Sequence, residues 1–211
     1  MHAHASSHLH SVRVISLGLV ATIIALFLMF RPAYAANDEE IAISMATLLR
    51  SARAVISDKQ KHINDASIGD KGVTTDYVIS TAKKNYMDKT GTDLDSIDRS
   101  TLHGQLVDAE LKAITEVMDE AQSTINEEGV ALKGFLPAVF ARLVTQRFKT
   151  HAAGKATIKL TAPKDYVRNR ANRPDKWEQN IIQTMFRSPD HPTGEHFSEE
   201  ADVKGKAAYR L

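Results

Sequence analysis

The densest group of chemically capable side chains lies in Leu160–Glu178, which reads Leu-Thr-Ala-Pro-Lys-Asp-Tyr-Val-Arg-Asn-Arg-Ala-Asn-Arg-Pro-Asp-Lys-Trp-Glu. Arg168, Asn169, Arg170 and Asn172 put guanidinium forks and amides on one loop, a set that can grip a small anion through paired N–H donors. The same residue types also serve structure alone, because an Asx side chain that caps a helix or bonds its own backbone needs no ligand. Asn172 is placed to cap a helix with Pro174 in its first turn, and Asp175 and Glu178 at the positive end of its dipole. Trp177, Ile181 and Met185 then share one face of that helix.

Catalytic constellations do not emerge from the remainder. The sequence holds no Gly-x-Ser-x-Gly, no His-Glu-x-x-His and no phosphate loop. His62, His103, His151, His191 and His196 stand singly, and His191 and His196, which flank Pro192-Thr193-Gly194, form too bare a turn for a metal cage. The early histidines His2, His4, His8 and His10 fall in a leader and predict no metal site either. The chain therefore reads as non-catalytic; an exported hydrolase is the alternative, and it would need a nucleophile with its base or paired carboxylates. With no cysteine, thiol catalysis, zinc-thiolate sites and thioether-linked haem are excluded within these 211 residues. A net charge of +1 argues against a nucleic-acid partner, which needs basic residues gathered on one face.

The elements that must position this loop read mostly as helices. From Asp38 to Asn64, Ile41, Met45, Leu48, Ala52 and Val55 follow 4-3-4-3 spacing, an amphipathic helix that packs on its own domain or, alternatively, pairs with a second copy as a homodimer. Val55, Gln60, Ile63, Asn64, Lys71 and Gly72 recur in step as Val117, Gln122, Ile125, Asn126, Lys133 and Gly134, with Tyr86 and Phe148 following. Each unit reads as a helix stopped by Asn, a loop ending in Lys-Gly, and a second helix, which predicts two related helical hairpins. Further helices are expected over Thr75–Lys89, ended by Gly91, over Thr101–Asn126, and from Pro137 to about Gly154. Ala156–Thr161 alternates and reads as a strand, and Asp202–Leu211 as a turn at Lys204-Gly205 leading into another. The fold class expected is α+β, helical first and then a partial antiparallel sheet with one capped helix.

Arg168, Asn169, Asn172, Pro174, Asp175, Trp177 and Glu178, spaced as Arg-Asn-x-x-Asn-x-Pro-Asp-x-Trp-Glu, resemble the signature of the PAS-like extracytoplasmic domains typified by the cyanobacterial Tll-type haem c protein. The resemblance runs from about Leu48, through Lys133–Arg142, to the end of the chain, with Arg170 standing where many relatives carry proline. It implies a sensor or ligand-binding domain facing the periplasm, alone or ahead of a histidine kinase or chemotaxis receptor. It also implies a Cys-x-x-Cys-His-Gly haem c attachment motif after the last strand. No cysteine is present to carry that motif, so no cofactor is expected in this chain, and its end is expected to be incomplete relative to its relatives.

The N-terminus reads as an export signal. The uncharged run Val14–Phe30 sits at the lower limit of the roughly 17 to 25 residues that span a bilayer core. Ala33 and Ala35 then give the small-x-small pattern of signal peptidase, so cleavage between Ala35 and Ala36 is expected. The domain plan is a leader over 1–36 and one sensor-type domain over 37–211, periplasmic or secreted. The alternative is an uncleaved anchor at the inner membrane, which would make the protein a tethered, dimerising partner.

Overall fold

Asn37 opens the first helix. Its Oδ1 accepts from the Glu40 N–H at 2.9 Å while Glu40 Oε2 accepts from the Asn37 N–H at 3.0 Å, a reciprocal capping box that starts α1 (Asp38–Ile63). Thr74 caps α2 (Thr75–Thr90), which ends on Gly91 at φ 71. Thr101 caps α3 (Leu102–Ile125), and α4 (Pro137–His151) starts on proline, where the missing N–H costs nothing. This computed structural model describes residues 36–211 apart from 193, 204 and 206. The Val14–Phe30 run and Ala35 of the expected cleavage site lie outside the described residues.

The two hairpins, α1–α2 and α3–α4, are related as the sequence echo predicts. Helices end at Ile63 and Ile125 under Asn64 and Asn126, and restart at Thr75 and Pro137, a constant offset throughout. Their hydrogen bonds are exchanged: Gln60 Nε2 donates to the Phe135 carbonyl at 3.2 Å, and its counterpart Gln122 Nε2 donates to the Val73 carbonyl at 3.2 Å. Such reciprocity is what two units related by a pseudo-twofold axis make. Between them lies the core, built from Leu48, Ile56 and Ile63 of α1, Leu106, Ile114 and Met118 of α3, and Phe140 and Phe148 of α4. The α1 seam Ile41, Met45, Leu48, Ala52 and Val55 is buried in this core, so it is spent within the chain's own bundle.

Beyond Gly154 (φ 80) the chain runs extended, and here the structure corrects the expected strand. Ala156, Ile158 and Leu160 pack against the bundle in alternation, but among the described residues no neighbouring strand pairs with Ala156–Thr161. Alternation records which side meets the core; a strand also needs a partner ladder. A helix α5 (Lys176–Ile181) follows and runs on as a π-turn over Ile182–Phe186, where the regular helix through Met185 had been expected. The strands β1 (Glu199–Asp202) and β2 (Ala207–Arg210) pair antiparallel, Glu199 opposite Arg210, around Gly205 at φ 78. The architecture is a mostly helical α+β fold, a four-helix bundle followed by a smaller part with one hairpin.

Candidate functional site

The Trp177 segment is built as a clamp. Asp175, not Asn172, caps α5: Asp175 Oδ1 accepts from the Glu178 N–H at 2.9 Å and Glu178 Oε2 accepts from the Asp175 N–H at 2.7 Å. Asn172 instead ends a short 3₁₀ turn, because Asn169 Oδ1 accepts from the Ala171 N–H at 3.0 Å and closes the chain there first. Arg210 of β2 then reaches back, its Nη2 donating to Asp175 Oδ2 at 2.7 Å while its guanidinium lies 4.2 Å over the Trp177 ring. Lys159 Nζ donates to Glu178 Oε2 at 2.5 Å, the Trp177 Nε1–H donates to Glu199, and Trp177 packs on Phe197 with centroids 6.2 Å apart. Partial burial pushes the Asp175 carboxyl up, but the Glu178 N–H and the Arg210 guanidinium outweigh it and hold the group below the usual carboxylate range. Asp175, Trp177 and Glu178 thus join α5 to the extended segment and to both strands.

Of the loop residues singled out as anion donors, one is occupied within the loop itself. Arg168, Asn169 and Arg170 are exposed and Asn172 half-buried; Asn169 is occupied as a cap, and no side-chain hydrogen bond to Arg168, Arg170 or Asn172 occurs among the described residues. Beside them lies a cleft that the sequence did not disclose. It measures about 160 Å³ and is lined by Pro163, Lys164, Asp165, Pro174, Gln179, Gln183 and Arg187. A second hollow of about 350 Å³ shares Pro163, Ile182 and Arg187 with it and adds Thr161 and Phe186. The π-turn makes this wall: the Arg187 N–H donates to the Ile182 carbonyl at 3.1 Å, and the wide turn brings Phe186 and Arg187 to the cleft. Of the motif, Pro174 alone lines it.

The remaining polar clusters have internal partners or none. His191 packs on Phe186 with ring centroids 4.9 Å apart, whereas His196 faces Glu39 at 3.4 Å, so the two histidines have different neighbours. Inside the bundle, Ser44 Oγ bonds Tyr86 Oη at 2.7 Å and His103 Nε2 at 2.8 Å, a chain across three helices that sequence reading missed. Burial, with help from Arg99, lowers the His103 pKa, which favours its neutral ring. Ser44 is buried under its two partners and has no open side for a substrate.

A family model described as Tll0287-like matches residues 31–211. No curated protein and no solved structure matches the chain. The matched span covers the bundle, the clamp and the cleft together, and the chain belongs to the Tll0287-like family.

Proposed function

We propose that the chain is an exported, non-catalytic ligand-binding module of the sensor kind implied by its resemblance to PAS-like extracytoplasmic domains, with its ligand in the cleft beside the π-turn. The observation that carries this reading is the make-up of the cleft. Arg187 and Lys164 offer cationic donors, Gln179 and Gln183 offer amides, and Pro163, Pro174 and Ile182 form an apolar wall that the adjoining hollow extends with Phe186. That combination suits a small monoanion with an apolar body, such as an aromatic or short aliphatic carboxylate. Asp165 in the lining disfavours a second negative charge on the ligand. Haem c, which the resemblance implies for the family, does not fit the residues present, because none of the 211 offers a thiol for a thioether bond.

Calorimetric titration with benzoate and hexanoate tests the site. Binding is expected, with Arg187→Ala weakening it by at least about tenfold, as loss of a charge-assisted contact does. At a hundred times its Kd such a ligand raises unfolding stability by about 2.7 kcal/mol. Equal responses to chloride and inorganic phosphate, or indifference to Arg187→Ala, would sink the assignment. Export is read from the mature N-terminus: Ala36 is expected, and an intact Met1 would favour the tethered form.

A further inference from the structure

The pseudo-twofold of the bundle exposes an asymmetry between its two hairpin loops. In the first, Lys71 is buried, its Nζ donates to the carbonyls of Asp65 and Ile68, and its backbone N–H donates to Asn126 Oδ1 at 2.9 Å. In the second, Lys133 Nζ, and at the end of α1 the Asn126 counterpart Asn64 Oδ1, are buried with no hydrogen-bond partner among the described residues. Leu132 stands where the first loop has Asp70, with φ 45 and 83% exposure. Leu136, 47% exposed, stands where Thr74 caps α2, and leaves α4 without a side-chain cap. Left-handed backbone at a leucine, a missing cap and a buried, unpartnered lysine Nζ are each costs, and they fall together on a loop that shows two leucines to solvent. Costs gathered in this way mark a surface kept for a partner.

Charge indicates which partner. The two hairpin loops touch, the Gly129 N–H donating to the Ala66 carbonyl at 2.9 Å, and together they carry exposed Asp65, Asp70, Glu127 and Glu128 around the leucines, with Lys61 at the end of α1. The chain itself holds the complement. Its Lys164–Arg173 loop bears exposed Lys164, Arg168, Arg170 and Arg173 around Tyr166, which is 76% exposed. This loop belongs to the part tied to the opposite end of the bundle, where Ser198 donates to Glu39 at 2.8 Å and Lys155 to Gln105 at 2.5 Å. One chain therefore cannot bring both together by a local loop movement, whereas two chains can. We propose that the Glu127–Leu136 loop docks onto the Lys164–Arg173 loop of a second copy, head to tail, Leu132 against Tyr166 and carboxylates against guanidiniums.

Sedimentation velocity of the full chain over a concentration series tests this. Association is expected to rise with concentration and to weaken with salt. Leu132→Asp, and separately Arg168→Glu with Arg170→Glu, should each weaken it by at least about tenfold. An equimolar mixture of the two variants keeps one intact tip and one intact basic loop, so it should recover a one-to-one dimer. A wild type that stays monomeric, variants that associate like the wild type, or a mixture that fails to pair would each overturn the proposal. So would a monomeric chain that binds phosphatidylcholine vesicles through Leu132, which would assign the tip to lipid. Arg168 and Arg170 do not line the cleft, so carboxylate binding measured on that double variant separates this proposal from the ligand reading.

Discussion

Glu110 is the residue whose surroundings most constrain its chemistry. It lies on the buried stripe of α3 between Leu106 and Ile114, is fully buried, and among the described residues has no hydrogen-bond partner on either carboxyl oxygen. Burial pushes its carboxyl well above the usual range. Ser44 and His103 meet at 2.8 Å between parallel helices, so Ser51 and Glu110, one heptad further along each, come level in the same core. Ser51 Oγ is likewise buried and without a partner among the described residues. Because the folded-state pKa exceeds the unfolded one, the folded chain holds the extra proton between the two values, and stability falls as pH rises through that window. The loss reaches about 1.4 kcal/mol per pH unit there. Urea midpoints from about pH 5 to about pH 8 should fall more steeply for the wild type than for Glu110→Gln, and Glu110→Leu should be the more stable protein at neutral pH. Coincident pH profiles would show that Glu110 finds a partner after all. The position was legible, since Leu106, Glu110 and Ile114 keep strict four-residue spacing. It was passed over because a carboxylate is ordinarily read as facing water.

Elements end and turn here through a few residues that can be tested singly. Gly104 sits in the first turn of α3, where an added Cβ would lie 2.1 Å from the Asp98 carbonyl oxygen. Backbone cannot yield as a flexible side chain does, so Gly104→Ala should destabilise by about 3 kcal/mol or more, read as a shift of the thermal midpoint. Gly72 and Gly134 make the opposite case: nothing lies within 4 Å of an added Cβ, and φ values of 62 and 74 are the whole obstacle. Alanine at either should cost about 1 kcal/mol, and the equality of the two is the mark of the repeat. Leu136→Thr, which restores the cap that Thr74 gives α2, should stabilise by about 1 kcal/mol, and no gain would show that the leucine packs usefully in the monomer. The bundle was legible because Asn64, Gly91 and Asn126 punctuate it and its apolar stripes keep helical period. The π-turn and the unpaired extended segment were not, because each depends on neighbours distant in the chain: Ile182–Phe186 has no breaker of its own, and Ala156–Thr161 alternates like any strand.

Across the molecule the two parts are held by different amounts of apolar contact. The bundle owns the large core, while the chain after Gly154 lends it only Ala156, Ile158 and Leu160 and keeps Ile181 and Ile182 buried outside it. What fastens α5 and the hairpin is chiefly the clamp of Lys159, Asp175, Trp177, Glu178 and Arg210. Partly exposed ion pairs of this kind contribute about 1 kcal/mol or less apiece, well below the 2 to 5 kcal/mol of a buried leucine. The family signature that pointed to a binding loop is thus largely a fastening, and the cleft depends on that fastening because Pro174 and Gln179 flank the same turn of α5. Opening of the C-terminal part should therefore precede global unfolding. Limited trypsin digestion of the native chain should cut first after Lys164, Arg168 or Arg170, exposed in loop and 3₁₀ turns, while Arg173 is spared by Pro174, leaving the bundle as the resistant fragment. Arg210→Ala should speed that first cut by about fivefold, the effect of losing about 1 kcal/mol of fastening when opening is fast relative to cleavage. A first cut inside α1 or α3, or an unchanged rate in Arg210→Ala, would mean that the two parts unfold as one, and that the clamp adds nothing to the order of the cleft.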